Sequence, residues 1–264
     1  MAVSAAAGAR RRAFAPDWTG RVVVAAIALY TLYAFSALDF SAQRFATGLG
    51  EGARLIGRML PPNFARWPLL VEGLIESLQI AILASALGIL ASLPLGLLAA
   101  RNLMPGWVAV PTRFFIAFCR SFHPVIVAIL FVKAIGFGAL AGVAALIVAS
   151  MGFIAKLFAE AIEEISPKPL EAVRASGAPF AAVVIFAVMP QVMSRFVGFA
   201  LYQLDSNLRN STMVGLVGAG GIGGTLDAAF KRFDYDFVSA ILIAIIAMIF
   251  IGEILSGWVR RAFQ

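Results

Sequence analysis

Residues 134–155 read AIGFGALAGVAALIVASMGFIA, a stretch without one charged side chain. A helix over that stretch is about 33 Å long, enough to cross a hydrocarbon core of roughly 30 Å. A lone strand would leave backbone N–H and C=O groups unpaired in lipid, whereas a helix satisfies them within itself.

Five further stretches are also long and apolar enough to span. Val22–Leu38 comes first, then Ile80–Ala100 with a start near Leu74, then Phe114–Val132, interrupted by Arg120 and His123. Residues 134–155 are fourth, Pro179–Leu204 with Pro190 and Arg195 inside it is fifth, and Phe237–Trp258 is sixth. The whole chain is 61% hydrophobic and 13% charged, with a mean hydropathy of +0.93. A soluble domain carries about 25% charged residues, so this chain needs lipid as its solvent. The fold expected is all-α, with six transmembrane helices, an external amphipathic segment and a short cytoplasmic helix. Cys119 is the one cysteine and His123 the one histidine, which excludes an intramolecular disulfide and a zinc site of the usual kind.

Lys and Arg gather on the cytoplasmic side of membrane proteins. With the N-terminus inside, that side receives Arg10 to Arg12, Arg21, Arg101, Arg113, Lys156, Lys168, Arg174, Arg260 and Arg261. The outer side receives fewer, namely Arg44, Arg54, Arg58, Arg66, Lys133, Lys231 and Arg232. Both termini are then cytoplasmic. Residues 1–21 form a tail, 22–38 the first span, 39–73 an external loop, 74–258 a five-helix core and 259–264 the cytoplasmic end. The net charge of +7 follows from this bias more readily than from nucleic-acid binding, since no basic run exceeds Arg10-Arg11-Arg12. Arg10 to Arg12 and the small residues near Ala34-Phe35-Ser36 also fit a signal peptide. The apolar run of Val22–Leu38 exceeds a signal core of about 7–15 residues, so it reads as a retained anchor.

Two loops carry information. Leu49, Ala53, Ile56 and Leu60 recur at helical spacing while Glu51, Arg54 and Arg58 lie off that stripe. This predicts a helix along the external interface, stopped by Pro61-Pro62. The second loop lies within residues 160–190. There, Pro169-Leu-Glu-Ala-Val-Arg-Ala-Ser-Gly177-Ala-Pro179 predicts a short helix with both ends marked. Pro169 suits a first turn, where an N–H is unpaired anyway. Glu171 favours the positive end of the helix dipole. Gly177 can take the left-handed conformation that closes a helix, and Pro179 blocks continuation. Leu170, Val173 and Gly177 share one face. Two turns are marginal alone, so something must hold them.

The spacing of this loop resembles the EAA loop of ABC importer permeases, E-A-A-x3-G-x9-I-x-L-P. Glu171, Ala172, Gly177 and Pro190 match it, while Val173, Ala187 and Met189 are apolar exchanges. Pro190-Gln191, Leu201-Tyr202, Asn207-Leu208-Arg209 and Gly215-Leu-Val-Gly-Ala-Gly-Gly-Ile-Gly223 further resemble the phosphonate permease branch. The resemblance implies a bacterial inner-membrane importer in which two permease copies enclose a path. It also implies two ATPase subunits carrying ATP and Mg²⁺, and an external binding protein that delivers solute. Glu171, Ala172, Val173, Gly177 and Pro190 would couple the ATPase to the spans. Phosphonates or related phosphorus oxyanions are the expected solute. Methionine is the alternative within this importer type, and an ion channel or a membrane enzyme lies outside it.

Polar residues near membrane depth supply candidates for the path: Arg120, His123, Asp205, Asn207 and Arg209. An arginine at bilayer centre costs about 2.5–3.5 kcal/mol on insertion scales, so such groups face protein or a watered route. Two readings stand. The groups meet an anionic solute, or they form internal ion pairs, as Arg209 would with Asp205 one turn away. Gly218, Gly220, Gly221 and Gly223 fit G-x-G-x-x-G, but a dinucleotide site needs a preceding strand and a βαβ unit. Close helix packing or an external gate suits them better. No G-x-x-x-x-G-K-[ST] run occurs. The purified chain is therefore expected neither to bind nor to hydrolyse ATP. Hydrolysis that stays with a homogeneous preparation, freed of contaminating ATPases, would overturn this.

Overall fold

A computed structural model describes residues 18–38 and 41–263, with side chains as far as Val259. The run Arg10–Arg12 and the side chains of Arg260 and Arg261 lie outside what is described. All regular elements among the described residues are helical. The chain falls into two units, one ending at Gly57 and the other beginning at Arg58. The first holds α1 (Trp18–Ala37) and nearly all of α2 (Ala42–Arg58). No residue of α1 is buried, as suits an apolar helix surrounded by lipid. α2 is amphipathic: Phe45, Leu49 and Ile56 are exposed on it, and Glu51 pairs with Arg54 at 2.7 Å. It ends before Leu60, the last position of the expected stripe.

The second unit contains α3 (Trp67–Ala99), α4 (Gly106–Ser121), α5 (Pro124–Ile135), α6 (Ala139–Glu163) and α7 (Pro167–Ala175). α8 (Phe180–Val183) then runs through a π-helical turn (Val184–Val188) into α9 (Met189–Gly215). α10 (Ile222–Lys231) and α11 (Tyr235–Phe263) complete it. Among the described residues, five stretches are long and apolar enough to cross a membrane: α1, α3, α6, α8 through α9, and α11. The pair α4 and α5, bent by 87°, is a sixth if its limbs count as one span.

That bend corrects the expected straight span over Phe114–Val132. Pro124 opens α5, and the residue before a proline avoids the α region. Phe122 and His123 are accordingly extended, with ψ of 135° and 139°. His123 caps α5, its Nδ1 accepting from the Val125 N–H at 3.3 Å. Other boundaries move for equally local reasons. α6 starts at Ala139, not Ala134, because Gly136 and Gly138 hold φ of 96° and 127°. It continues to Glu163 because Lys156, Glu160 and Glu163 end its apolar run without ending the helix. α3 begins at Trp67, ahead of Leu74, with Pro68 in the first turn.

The largest helix pairing is α3 with α6. α3 buries small residues at about every fourth position, Gly73, Ser77, Ala81, Ser85, Gly88, Ser92 and Gly96, a stripe that lets backbones approach closely in a membrane. A Cβ at Gly88 would lie 2.5 Å from Ser150 Cβ on α6, and one at Gly96 2.5 Å from the Phe158 ring. Near the middle of α6, four polar side chains close on one another. Asn207 Nδ2 donates to Ser85 Oγ at 2.9 Å and to Ser150 Oγ at 2.8 Å. Gln203 Nε2 donates to Ser150 Oγ at 2.9 Å and to Asn207 Oδ1 at 3.0 Å. All four residues are buried, and they join α3, α6 and α9. Satisfied in this way, the polar run after Leu204 stays helical, so α9 passes the expected end and reaches Gly215. Interhelical hydrogen bonds in membranes are worth about 0.6 kcal/mol on average and up to about 1.7. Asn207→Leu is therefore expected to lower the thermal midpoint of the purified chain, at a cost of about 1–2 kcal/mol. An unchanged midpoint would mean the cluster does not hold the helices.

Candidate functional site

Two regions could carry function, one at the α7 end of the bundle and one at mid-depth. α7 starts at Pro167, with Ser166 as N-cap, two residues ahead of the expected start. Glu171 consequently stands in the second turn, and the first turn holds no acidic residue. Its interaction with the helix dipole is thus smaller than expected, because that effect fades beyond the first turn. The other end has the anticipated geometry: Gly177 has φ of 74°, and its N–H donates to Arg174 O at 3.0 Å. Leu170 is 5% exposed and sits in a core with Phe158 and Ile162 of α6 and Val188 and Val192 of the following helix. Val173 is half-buried behind it, while Gly177, expected on the same face, is exposed.

α7 therefore stands on one apolar foot and turns Glu171, Ala172 and Ala175 outward. Its surroundings are tied by polar contacts. Glu163 Oε1 accepts from Arg101 N–H at 2.7 Å and from Arg113 Nη2 at 2.6 Å. Asn102 Nδ2 donates to Ile162 O at 2.7 Å. Pro190 lies in the first turn of α9, just past the π turn.

At mid-depth, Arg120 ends α4 against Gly152 of α6. A Cβ at Gly152 would lie 2.9 Å from Arg120 Cγ and 3.0 Å from Cys119 Cβ, so the glycine is what admits α4. Arg120 borders two cavities. One, of about 290 Å³, is lined by Phe122, Phe153, Tyr202, Gln203, Ser206 and Asn210 among others. The second, of about 300 Å³, lies toward α7 between α4 and α6 and includes Arg113, Lys156 and Glu160. Arg113 is bound by Glu163 at 2.6 Å, and Lys156 faces Glu160 at 3.4 Å. Arg120 has no ion-pair partner among the described residues.

The remaining candidates sit elsewhere. His123 caps α5 at the bend. Arg209 donates to Asp205 at 2.6 Å on the half-exposed side of α9. Asn207 is fully buried in the serine cluster and is not among the residues lining either of these two cavities. Sequence reasoning missed Tyr202, Ser206 and Asn210, although their four-residue spacing marks one helical face. It also missed Lys156 as a cavity residue.

The glycine segment closes the opposite end of the bundle. Gly218, Gly220 and Gly221 have φ of 87°, 82° and 79°, a region that side chains resist. Gly138 N–H donates to Gly218 O at 3.0 Å, and Ile222 N–H to Ser77 Oγ at 2.8 Å. A Cβ on Gly223 would overlap the Thr212 carbonyl oxygen. Nearby, Arg66 bonds Asp234 at 3.1 Å and lies 3.9 Å above the Phe237 ring, joining the start of α3 to α11.

A membrane bundle with a polar cavity at mid-depth and an exposed helix at one end is built to move solute, and its class is that of a permease subunit. Residues 92–264 match the family described as binding-protein-dependent transport system inner membrane component, and the chain belongs to that family. It is 38% identical over 258 residues to the phosphite transport system permease protein PtxC of Stutzerimonas stutzeri, covering 96% of this chain and 93% of that protein. It is 40% identical over 232 residues to the phosphate-import permease protein PhnE of Mycolicibacterium smegmatis, covering 86% of this chain. It spans 43% of the length of that second protein. The fold resembles the inward-facing MetNI methionine ABC transporter, with a TM-score of 0.65 at 24% identity, over 76% of this chain and 99% of that one.

Gly177 offers a clean test of the α7 terminus. A Cβ there would meet nothing within 4 Å, so substitution acts through conformation alone. Gly177→Ala is expected to cost about 1–2 kcal/mol locally, and to insert normally while lowering uptake. Gly177→Asn, which tolerates the left-handed region, is expected to retain more. Equal uptake in wild type and both variants would remove this helix end from transmission.

Proposed function

We propose that the chain is the membrane-spanning subunit of an ATP-driven importer for phosphorus oxyanions of the phosphonate, phosphite and phosphate class. The observation that carries the reading is Arg120, a cation with no ion-pair partner among the described residues, beside a cavity at mid-depth that Tyr202, Gln203, Ser206 and Asn210 also line. The names of the relatives favour the same solute class. Two copies of the chain enclose the path. A separate pair of ATPase subunits binds ATP and Mg²⁺ and seats the exposed face of α7. A binding protein delivers solute to the opposite side. In this arrangement the α7 end and both chain termini are cytoplasmic, and α2 lies along the external interface.

The chemistry is charge compensation. An oxyanion entering low-dielectric protein needs donors, and a guanidinium supplies fixed charge with paired N–H groups and no proton equilibrium. Tyr202, Ser206 and Asn210 add neutral donors on the facing helix. Arg120 also borders the second cavity, where Lys156 is already paired with Glu160. Closure of the ATPase pair pushes α7 as a unit, and the spans answer by switching between two arrangements.

Arg120→Gln, in the assembled importer, is expected to slow phosphite or phosphonate uptake by roughly tenfold or more, equivalent to about 1.4 kcal/mol. Subunit assembly and the binding protein's affinity for solute should remain intact, and Arg120→Lys should recover part of the rate. Arg209→Gln should instead lower thermal stability, with partial recovery when Asp205→Asn is added. Wild-type uptake in Arg120→Gln would sink the anion-path reading.

A further inference from the structure

Where α9 begins, the helix changes register. In the turn Val184–Val188, the Met189 N–H reaches back to Val184 O, five residues away. Pro190 follows and has no N–H to give, so the ladder is short of a donor at this point. π turns inside α-helices are rare and concentrate at functional sites.

Gln191, the next residue, works in two directions. Its Nε2 donates to Ala187 O, a carbonyl of the π turn, at 2.6 Å. Its Oε1 accepts from the Ser166 N–H at 3.0 Å, and Ser166 is the N-cap of α7. One turn further along α9, Arg195 pairs with Glu164 at 2.5 Å. The same face of α9 therefore grips residues 164–166, the joint between α6 and α7. The ion pair is more than half exposed on both sides, so it aligns the joint and adds little strength. The amide is different in kind. Only a side chain that donates and accepts at once can hold the π turn and the α7 cap together.

We propose that Gln191 is a positioning residue for transmission. Through its amide, movement of α7 reaches the π turn and is delivered to α9 as a change of helical register. The proposal rests on the reading of α7 as the ATPase-coupling helix. The apolar foot at Leu170 anchors α7 by burial, which is non-directional, whereas two hydrogen bonds to one planar amide fix an orientation.

The bond can be cut from either side. Gln191→Met removes both contacts, and Gln191→Glu keeps the acceptor alone. Ser166 has φ of −63°, which proline adopts, so Ser166→Pro deletes the donor N–H. The Ser166 hydroxyl makes no cap hydrogen bond, so Ser166→Ala serves as a control that keeps the N–H.

The readout is solute transported per ATP hydrolysed by the whole importer in proteoliposomes, beside ATPase co-purification and thermal midpoint. Gln191→Met and Ser166→Pro should keep bound ATPase and hydrolysis while transport per ATP falls roughly fivefold or more, the lower end of ordinary coupling between sites. Gln191→Glu should lie between, and Ser166→Ala should match wild type. The double variant Gln191→Met with Ser166→Pro should be no worse than the poorer single one, because both cut one connection. Unchanged transport per ATP in the two single variants overturns the proposal. So does a loss that merely follows falling thermal midpoint and assembly, or one that adds in the double variant. Glu171→Lys separates this failure from failure of the coupling reading itself. If that variant still retains the ATPase, α7 is not the docking element, whereas its loss of the ATPase beside normal Gln191 variants sinks only the strut.

Discussion

Asn207 reaches Ser85 on α3 and Ser150 on α6 from its place on α9, and the bundle is organised around that contact. Lipid tails are as apolar as leucine, so no hydrophobic force draws these helices together. Close packing and internally satisfied polar groups must do so instead. The two requirements meet at Ser150. Gly88 lets α3 come near enough for Ser85 to stand beside Ser150, and Asn207 and Gln203 then use both hydroxyls. Two residues along α6, Gly152 admits α4 and so fixes Arg120. A larger residue at either glycine would move the polar centre and the cavity wall together.

The bend between α4 and α5 is the second consequence of depth. Extended backbone at Phe122-His123 would be costly against lipid, and such breaks persist where protein or a watered cavity surrounds them. Phe122 and Pro124 do line the mid-depth cavity, together with Arg120. The bend brings an arginine to the cavity edge, while Tyr202, Ser206 and Asn210 supply the facing wall. Arg209 has its charge already met by Asp205, so the two arginines flanking this depth differ in what they can offer an anion.

At the α7 end, burial and orientation rest on different contacts. Leu170 in its apolar pocket keeps a nine-residue helix in place, where isolated helices of that length are marginal. Gln191 and Arg195 give the attachment a direction. The π turn beneath them departs from the α hydrogen-bond pattern, as such turns do at functional sites.

Charge-free runs long enough to span a bilayer determined by themselves that this chain is a helical membrane protein. The spacing from Glu171 to Pro190 marked the loop that carries α7. Gly177 was legible because a left-handed φ is a property of one residue; Pro124 acts just as locally, but the bend it opens was missed because Phe114–Val132 read as one straight span. Three things were decided only by tertiary structure. Hydropathy ended the fifth span at Leu204, yet the helix continues because Ser85 and Ser150, distant in sequence, satisfy Asn207. Asp205, one turn before Arg209, was legible as its partner, but only the fold shows Arg120 without an ion-pair partner among the described residues. The link from Gln191 to Ser166 depends on a three-dimensional joint between α6 and α7. Local backbone preference can be read one residue at a time, whereas a polar group in lipid is defined by its partner, and sequence order does not say which partner arrives.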